Sequence, residues 1–282
     1  MIPPIAAVVW ALLFKAYNHL AMRSAMIFGK NKSLACFNAK PSAEYRVVCF
    51  PCAGGGASMY RSWSEHLPDA EVWAANYPGR ESLHSEPFAE SVHAIVEQFS
   101  QQSDFFREKN VVLYGHSFGA LVAFLTAHTL QQQGVGVLGV IASARRAPHL
   151  DPELKITELS EDRFMAELER LGGLPEAIRA SEEMMAFYLP VIKADLKLND
   201  EGKSTSDQIL NIPVYLYSGT EDKVASVSEL AAWKSSTTSR FEHKAFEGGH
   251  FFIQDRAPEF LASMRTVLAT LTQEDGEDLI AF

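Results

Sequence analysis

The sequence predicts an α/β protein with a mostly parallel central sheet and helices on both faces. Three observations carry that expectation. From residue 45 onward, short β-branched runs alternate with stretches of helical spacing. The runs are continuously apolar, as strands buried on both faces require, rather than alternating as in a half-solvated sheet. Glycine and proline breaks close the runs, and the whole chain of 282 residues suits one large domain with an insertion.

Taken in order, Val47-Val48-Cys49-Phe50 reads as the first strand, ended by Pro51 and Gly54-Gly55-Gly56. Val72-Trp73-Ala74-Ala75 is the second, closed by Tyr77-Pro78-Gly79, and Phe88 to Phe99 has helical spacing through Val92, Ile95, Val96 and Phe99. Val111-Val112-Leu113-Tyr114 is the third strand, followed by a helix that stops at Gly134, a favourable residue just past a helix end. Val137 to Ser143, Val214 to Ser218 and Phe241 to Phe246 are further strands, and Pro258 to Leu271 is a closing helix. The connection between Ser143 and Val214 is far longer than a plain crossover needs. Its pattern is helical (Phe164, Leu168, Leu171, then Met184 to Leu196), with a polar loop expected over Leu198 to Asp207. It is read as a helical lid over the carboxyl ends of the strands. The expected organisation is therefore an N-terminal extension over 1–44, a core over 45–150 and 206–272, a lid over 151–205 and an acidic tail over 273–282.

Composition narrows the function. Asp plus Glu number 35 against 25 Lys plus Arg, a formal charge of −10, which argues against a phosphate-neutralising nucleic-acid binder. Three cysteines cannot close a disulfide framework, and Cys49-Phe-Pro-Cys52 has no second pair with which to build a zinc site. Cys36, Cys49 and Cys52 are read as small apolar side chains, no metal is expected, and the compartment is taken as reducing and cytoplasmic. The apolar run from Ile2 to Phe14 is shorter than the roughly 20 residues a membrane span needs. It reads as an appended amphipathic helix, or as the result of a start placed ahead of Met22 or Met26.

The chemistry centres on Gly115-His116-Ser117-Phe118-Gly119, which matches G-x-S-x-G and lies between a strand and a helix, where a nucleophile elbow belongs. A serine needs a base to take its proton. His250, in Gly248-Gly249-His250-Phe251-Phe252 between the last strand and the last helix, is the candidate; His116 is read as packing. The orienting acid is assigned to Asp222 in Gly219-Thr220-Glu221-Asp222, with Glu221 its neighbouring rival and Asp151 the alternative after the preceding strand. Oxyanion donors are expected from the backbone amides of Phe118 and of Ala53 in the loop after the first strand. That loop lacks both G-x-G-x-x-G and G-K-[ST], so no phosphate cofactor is expected.

These stretches, with Phe50-Pro51-Cys52-Ala53-Gly54-Gly55, Tyr77-Pro78-Gly79-Arg80, Leu171-Gly172-Gly173 and Leu189 to Leu196, resemble the type II (external, proofreading) thioesterases that accompany polyketide and nonribosomal peptide synthetases. The resemblance runs from about Tyr45 to Leu271. It implies an α/β-hydrolase fold, a Ser117–Asp222–His250 triad, no cofactor, and acyl or peptidyl carrier domains bearing phosphopantetheine thioesters as partners of a monomeric enzyme. Where members often carry His before Ala-Gly-Gly this chain has Cys52, of little consequence if the backbone supplies the donor. Carriers are usually acidic, so Arg80, Arg145 and Arg146 near strand ends are expected to dock them, with Met184 and Tyr188 of the lid contacting substrate. A carboxylesterase with the same triad, and a catalytically silent binding protein, are the competing functions.

Overall fold

The computed structural model describes residues 26–29, 32–174 and 176–278. Strands β1 (Ile27–Phe28), β2 (Leu34–Cys36), β3 (Tyr45–Phe50), β4 (Ala70–Ala75), β5 (Asn110–His116), β6 (Gly139–Ser143), β7 (Val214–Gly219) and β8 (Phe241–Phe246) form one sheet. Its spatial order is β1-β2-β4-β3-β5-β6-β7-β8. Every pairing from β4 through β8 is parallel, while β1–β2 and β2–β4 are antiparallel. The longer helices are α1 (Val92–Ser100), α2 (Phe118–Gln132), α3 (Glu161–Arg170), α4 (Glu182–Glu201) and α5 (Ala257–Asp278); shorter helical turns are left unnumbered.

Alternate strand residues feed two cores. Val48, Phe50, Val111 and Leu113 meet Ile95 and Phe99 of α1 and Leu121 and Phe124 of α2. Val47, Cys49, Val112 and Tyr114 meet Phe260, Met264 and Leu268 of α5 on the opposite face. Both layers exclude water, which is why the strands read as unbroken apolar runs. Each fully buried large apolar side chain contributes about 1.5–3 kcal/mol relative to exposure. The α1 helix shows the sequence logic plainly: Val92, Ile95, Val96 and Phe99 recur on its inner face, and the Ser91 hydroxyl caps it by accepting from the Ala94 amide at 3.1 Å.

The order of strands places the site. From β3 the chain goes to β4 on one side, and β5 then lies on the other side of β3. The loops after β3 and β5 therefore diverge at their carboxyl ends, the crevice where open α/β sheets bind ligands. The loop containing Ala53 and the turn containing Ser117 are those two loops.

Two expectations change. The sheet begins before residue 45: β1 and β2 lie within the segment expected to be an extension, and Leu34 and Cys36 join the core. Strands of two and three residues carry too little periodicity to stand out beside the apolar run that precedes them. The proposed amphipathic helix lies outside the described residues. Second, Leu198 to Glu201 is helix and not loop. Its polar residues have partners across space: Asn199 accepts from the Arg145 guanidinium, and the Asp200 carboxylate accepts from the Thr157 amide (3.1 Å) and hydroxyl (2.8 Å).

Candidate active site

The β5–α2 turn forces Ser117 into φ 54°, ψ −115°, a conformation that L-residues rarely adopt. The surroundings hold it there. A Cβ on Gly119 would lie 2.0 Å from the Phe50 carbonyl oxygen, so strand β3 and helix α2 pass in backbone contact that only glycine permits. The Ser117 amide donates to the Ser143 carbonyl at 2.8 Å. The serine thus stands at the carboxyl edge of the sheet and the positive end of α2.

Asp222 and His250 come from neighbouring strand ends. The Thr220 amide donates to Phe246 O (2.8 Å) and the Glu221 amide to Gly248 O (2.9 Å), which locks the loop after β7 to the loop after β8. Asp222 Oδ2 lies 2.9 Å from His250 Nδ1, with both side chains buried, and its Oδ1 accepts from the Val224 amide at 2.9 Å. With the Nδ1 proton donated to Asp222, His250 Nε2 keeps its lone pair. Glu221 is exposed, and Asp151 is engaged by Lys203 at 2.9 Å in solvent.

The loop after β3 is held at most of its polar atoms. Tyr60 donates to Phe50 O (2.9 Å), Tyr77 to Pro51 O (3.2 Å), and the Gly55 amide to Cys52 O (3.0 Å). The Ala53 amide has no protein acceptor among the described residues. Phe118 opens α2, where a helix leaves its first amides unpaired.

Residues 45–268 match the family model described as the thioesterase domain. The chain belongs to the thioesterase family. It is 35% identical over 223 residues to Thioesterase PikA5 of Streptomyces venezuelae, covering 78% of this chain and 79% of that one. The RedJ thioesterase from the prodiginine biosynthetic pathway in Streptomyces coelicolor superposes with a TM-score of 0.74 at 30% identity, over 81% and 88% of the two chains. YbtT, a type II thioesterase from the yersiniabactin pathway, gives 0.74 at 28% identity over 82% and 96%. The architecture is that of an α/β-hydrolase.

In this thioesterase the three arginines expected on the surface are not there. Arg80 is buried and bonds Asp195 through both terminal guanidinium nitrogens, with Nη2 to Oδ1 at 2.6 Å. Arg145 is buried against Asn199, and buried Arg146 donates to Leu150 O at 3.0 Å. None is free to meet a carrier. A charge run in sequence reads as solvated surface unless its partners are known, and those of Arg80 and Arg145 lie on the distant helix α4. Met184 and Tyr188 are half-buried on the outer half of α4. Among the described residues no helix is long and apolar enough to cross a membrane, and no group of three His, Cys, Asp or Glu side chains could hold a metal ion. The three cysteines are unpaired and buried, and burial pushes the Cys36 thiol up to about 11 and Cys52 up to about 12.

His116 is buried and packs beside His250, in keeping with its reading as a packing residue. Its ring packs 5.2 Å from that of His250 and 5.6 Å from Phe251, and its Nδ1 lies 2.8 Å from Ser143 Oγ, which also meets the Tyr114 hydroxyl at 2.8 Å. Burial first, and then the neighbouring His250, push the His116 imidazole well below its usual range, so it stays neutral. Below about pH 6.5 an unfolded chain binds a proton here that the folded chain refuses. The stability this site contributes is therefore full above about pH 6.5 and declines as pH falls, by about 1.4 kcal/mol per pH unit. Thermal melts between pH 7.5 and 5 should show the decline, and His116→Phe should flatten it. Equal slopes in the two proteins would contradict a neutral buried imidazole.

Proposed function

We propose that this thioesterase clears stalled or aberrant acyl groups from the phosphopantetheine arms of carrier proteins in polyketide or nonribosomal peptide synthesis. Thioester hydrolysis follows from the family. The carrier-bound substrate is our reading, supported by the PikA5, RedJ and YbtT relatives. The observation that carries the mechanism is the buried His250–Asp222 hydrogen bond, placed at the same edge of the sheet as the Ser117 elbow.

In that mechanism Ser117 Oγ attacks the thioester carbonyl carbon and its proton passes to His250 Nε2. The negative oxygen of the tetrahedral intermediate accepts from the amides of Phe118 and Ala53. The carbon–sulfur bond then breaks, and the leaving thiolate takes the proton from His250. Water attacks the acyl-serine with His250 again as base, which releases the acid and restores Ser117. Asp222 holds the imidazole in the tautomer that this requires and stabilises the imidazolium.

The helices between β6 and β7 cover this site in our reading. A Cβ on Gly172, just past α3, would lie 3.6 Å from the Phe251 ring, and Ile192 of α4 abuts Gly54, so the insertion touches both the histidine loop and the oxyanion loop. Met184, Tyr188 and the exposed Phe187 belong to the half of α4 that precedes Pro190, where an acyl chain can enter.

A thioester carbonyl has less resonance stabilisation than an oxygen ester, and its thiolate leaves without strong protonation. Carrier contacts remote from the reacting carbon add binding energy that can be used at the transition state. We expect kcat/KM to rank an acyl-carrier thioester above the same acyl group on coenzyme A, and both above the matched oxygen ester. One short acyl chain on all three decides the matter. A preference for the oxygen ester would favour the carboxylesterase reading.

A further inference from the structure

Asp195 is a buried carboxylate of α4 that lies among Val191, Ile192 and Leu198, apart from Asp200 at the helix end. An acid there is costly unless it is fully paired. It is paired three ways: Arg80 reaches both of its oxygens, and its Oδ2 accepts from the Gly54 amide at 2.8 Å. Arg80 in turn donates to the Gly55 carbonyl at 3.1 Å. The pair therefore grips the loop at the two residues that follow Ala53.

We propose that Asp195 and Arg80 are positioning residues that set the Ala53 amide for the oxyanion through Gly54 and Gly55. The inference rests on Ala53 being an oxyanion donor. Three features carry it. The carbonyls of Phe50 and Pro51 are fixed by Tyr60 and Tyr77, and the segment after Ala53 is fixed by the pair, so the peptide that presents the Ala53 amide is held from both sides. Gly54 has φ +76°, and a Cβ there would lie 2.5 Å from Ile192 Cγ1, so α4 and the loop meet with nothing between them. A buried ion pair adds little net stability over apolar groups of the same size, so stability alone does not account for it. Arg80 also neutralises a carboxylate that would otherwise repel the negative oxygen forming nearby. The seat of α4 thereby reaches the reacting carbonyl.

The test uses the full chain with Arg80 and Asp195 replaced together, Arg80→Met with Asp195→Leu, which leaves no unpaired charge. The readouts are kcat and KM for a short-chain acyl N-acetylcysteamine thioester, and the inhibition constant of a trifluoromethyl ketone with the same acyl chain, which adds Ser117 to mimic the tetrahedral intermediate. We expect kcat to fall roughly 10- to 100-fold, less than the about 10²- to 10³-fold for removing an oxyanion donor outright. KM should stay within about twofold, and ketone affinity should fall by the same factor as kcat. Arg80→Lys, which keeps the charge but loses the two-pronged grip, should show a smaller, matching loss in both. Wild-type kcat and ketone affinity in either folded variant would overturn the inference, as would a raised KM with ketone affinity intact. Failure of both variants to fold by circular dichroism would make the pair a stability element and overturn it too. The underlying reading fails separately: Ser117→Ala would then keep its turnover, or the wild-type enzyme would not bind the ketone.

Discussion

Ser117→Ala should lower turnover of any thioester substrate by on the order of 10⁶-fold, because nothing else in the site can form the acyl intermediate and the partners of a nucleophile act as a unit with it. The fold should survive. Ser117 sits at the edge of the sheet, its amide rather than its hydroxyl makes the bond to Ser143, and alanine keeps the same Cβ at the same φ of 54°. Its melting temperature should stay within a few degrees of the parent while free-thiol release falls to background. A variant that retained a tenth of the parent rate would remove Ser117 from the mechanism.

Asp222→Asn should cost about 10⁴-fold in kcat at neutral pH with little change in the fold. An asparagine amide at this position donates where the carboxylate accepts, so His250 turns to the tautomer whose Nε2 carries the proton and cannot take another. The loop should persist, because its backbone bonds from Thr220 and Glu221 to Phe246 and Gly248 do not involve the Asp222 side chain. Glu221→Gln is the internal control. That side chain is exposed, and the change should leave kcat within about twofold of the parent. If Glu221→Gln proved the damaging change, the acid would be misassigned.

Much of this is legible along the chain because backbone constraints write themselves into residue type. The inner parallel strands β3 to β7 show as largely apolar runs, since burial on both faces leaves few polar positions, whereas β8 is mostly exposed and carries charged residues. The elbow shows because two backbones cannot cross at that distance with side chains at Gly115 and Gly119. What stays hidden depends on partners distant in sequence. Arg80 and Arg145 look like surface charge until Asp195 and Asn199 are brought over them, and the polar end of α4 looks like loop for the same reason. Asp195 did leave a trace: a single acid among Val191, Ile192 and Leu196 breaks the apolar face of a helix and invites the question of what neutralises it. Choosing between Glu221 and Asp222, one residue apart, needs the hydrogen bond to His250 itself.

The two ends of the sheet bear on how copies of the protein meet in concentrated solution. A free strand edge is a template for adding another chain, and fibrous association begins there. At one end β1 offers two residues of edge, too few to seat an incoming strand. At the other, β8 is full length and largely exposed, but it carries Glu242, His243 and Lys244 in succession, with His243 engaged by the Ser218 hydroxyl at 2.8 Å. An incoming apolar strand would have to strip water from those charges without supplying partners. Among the described residues, brevity guards one edge and charge the other.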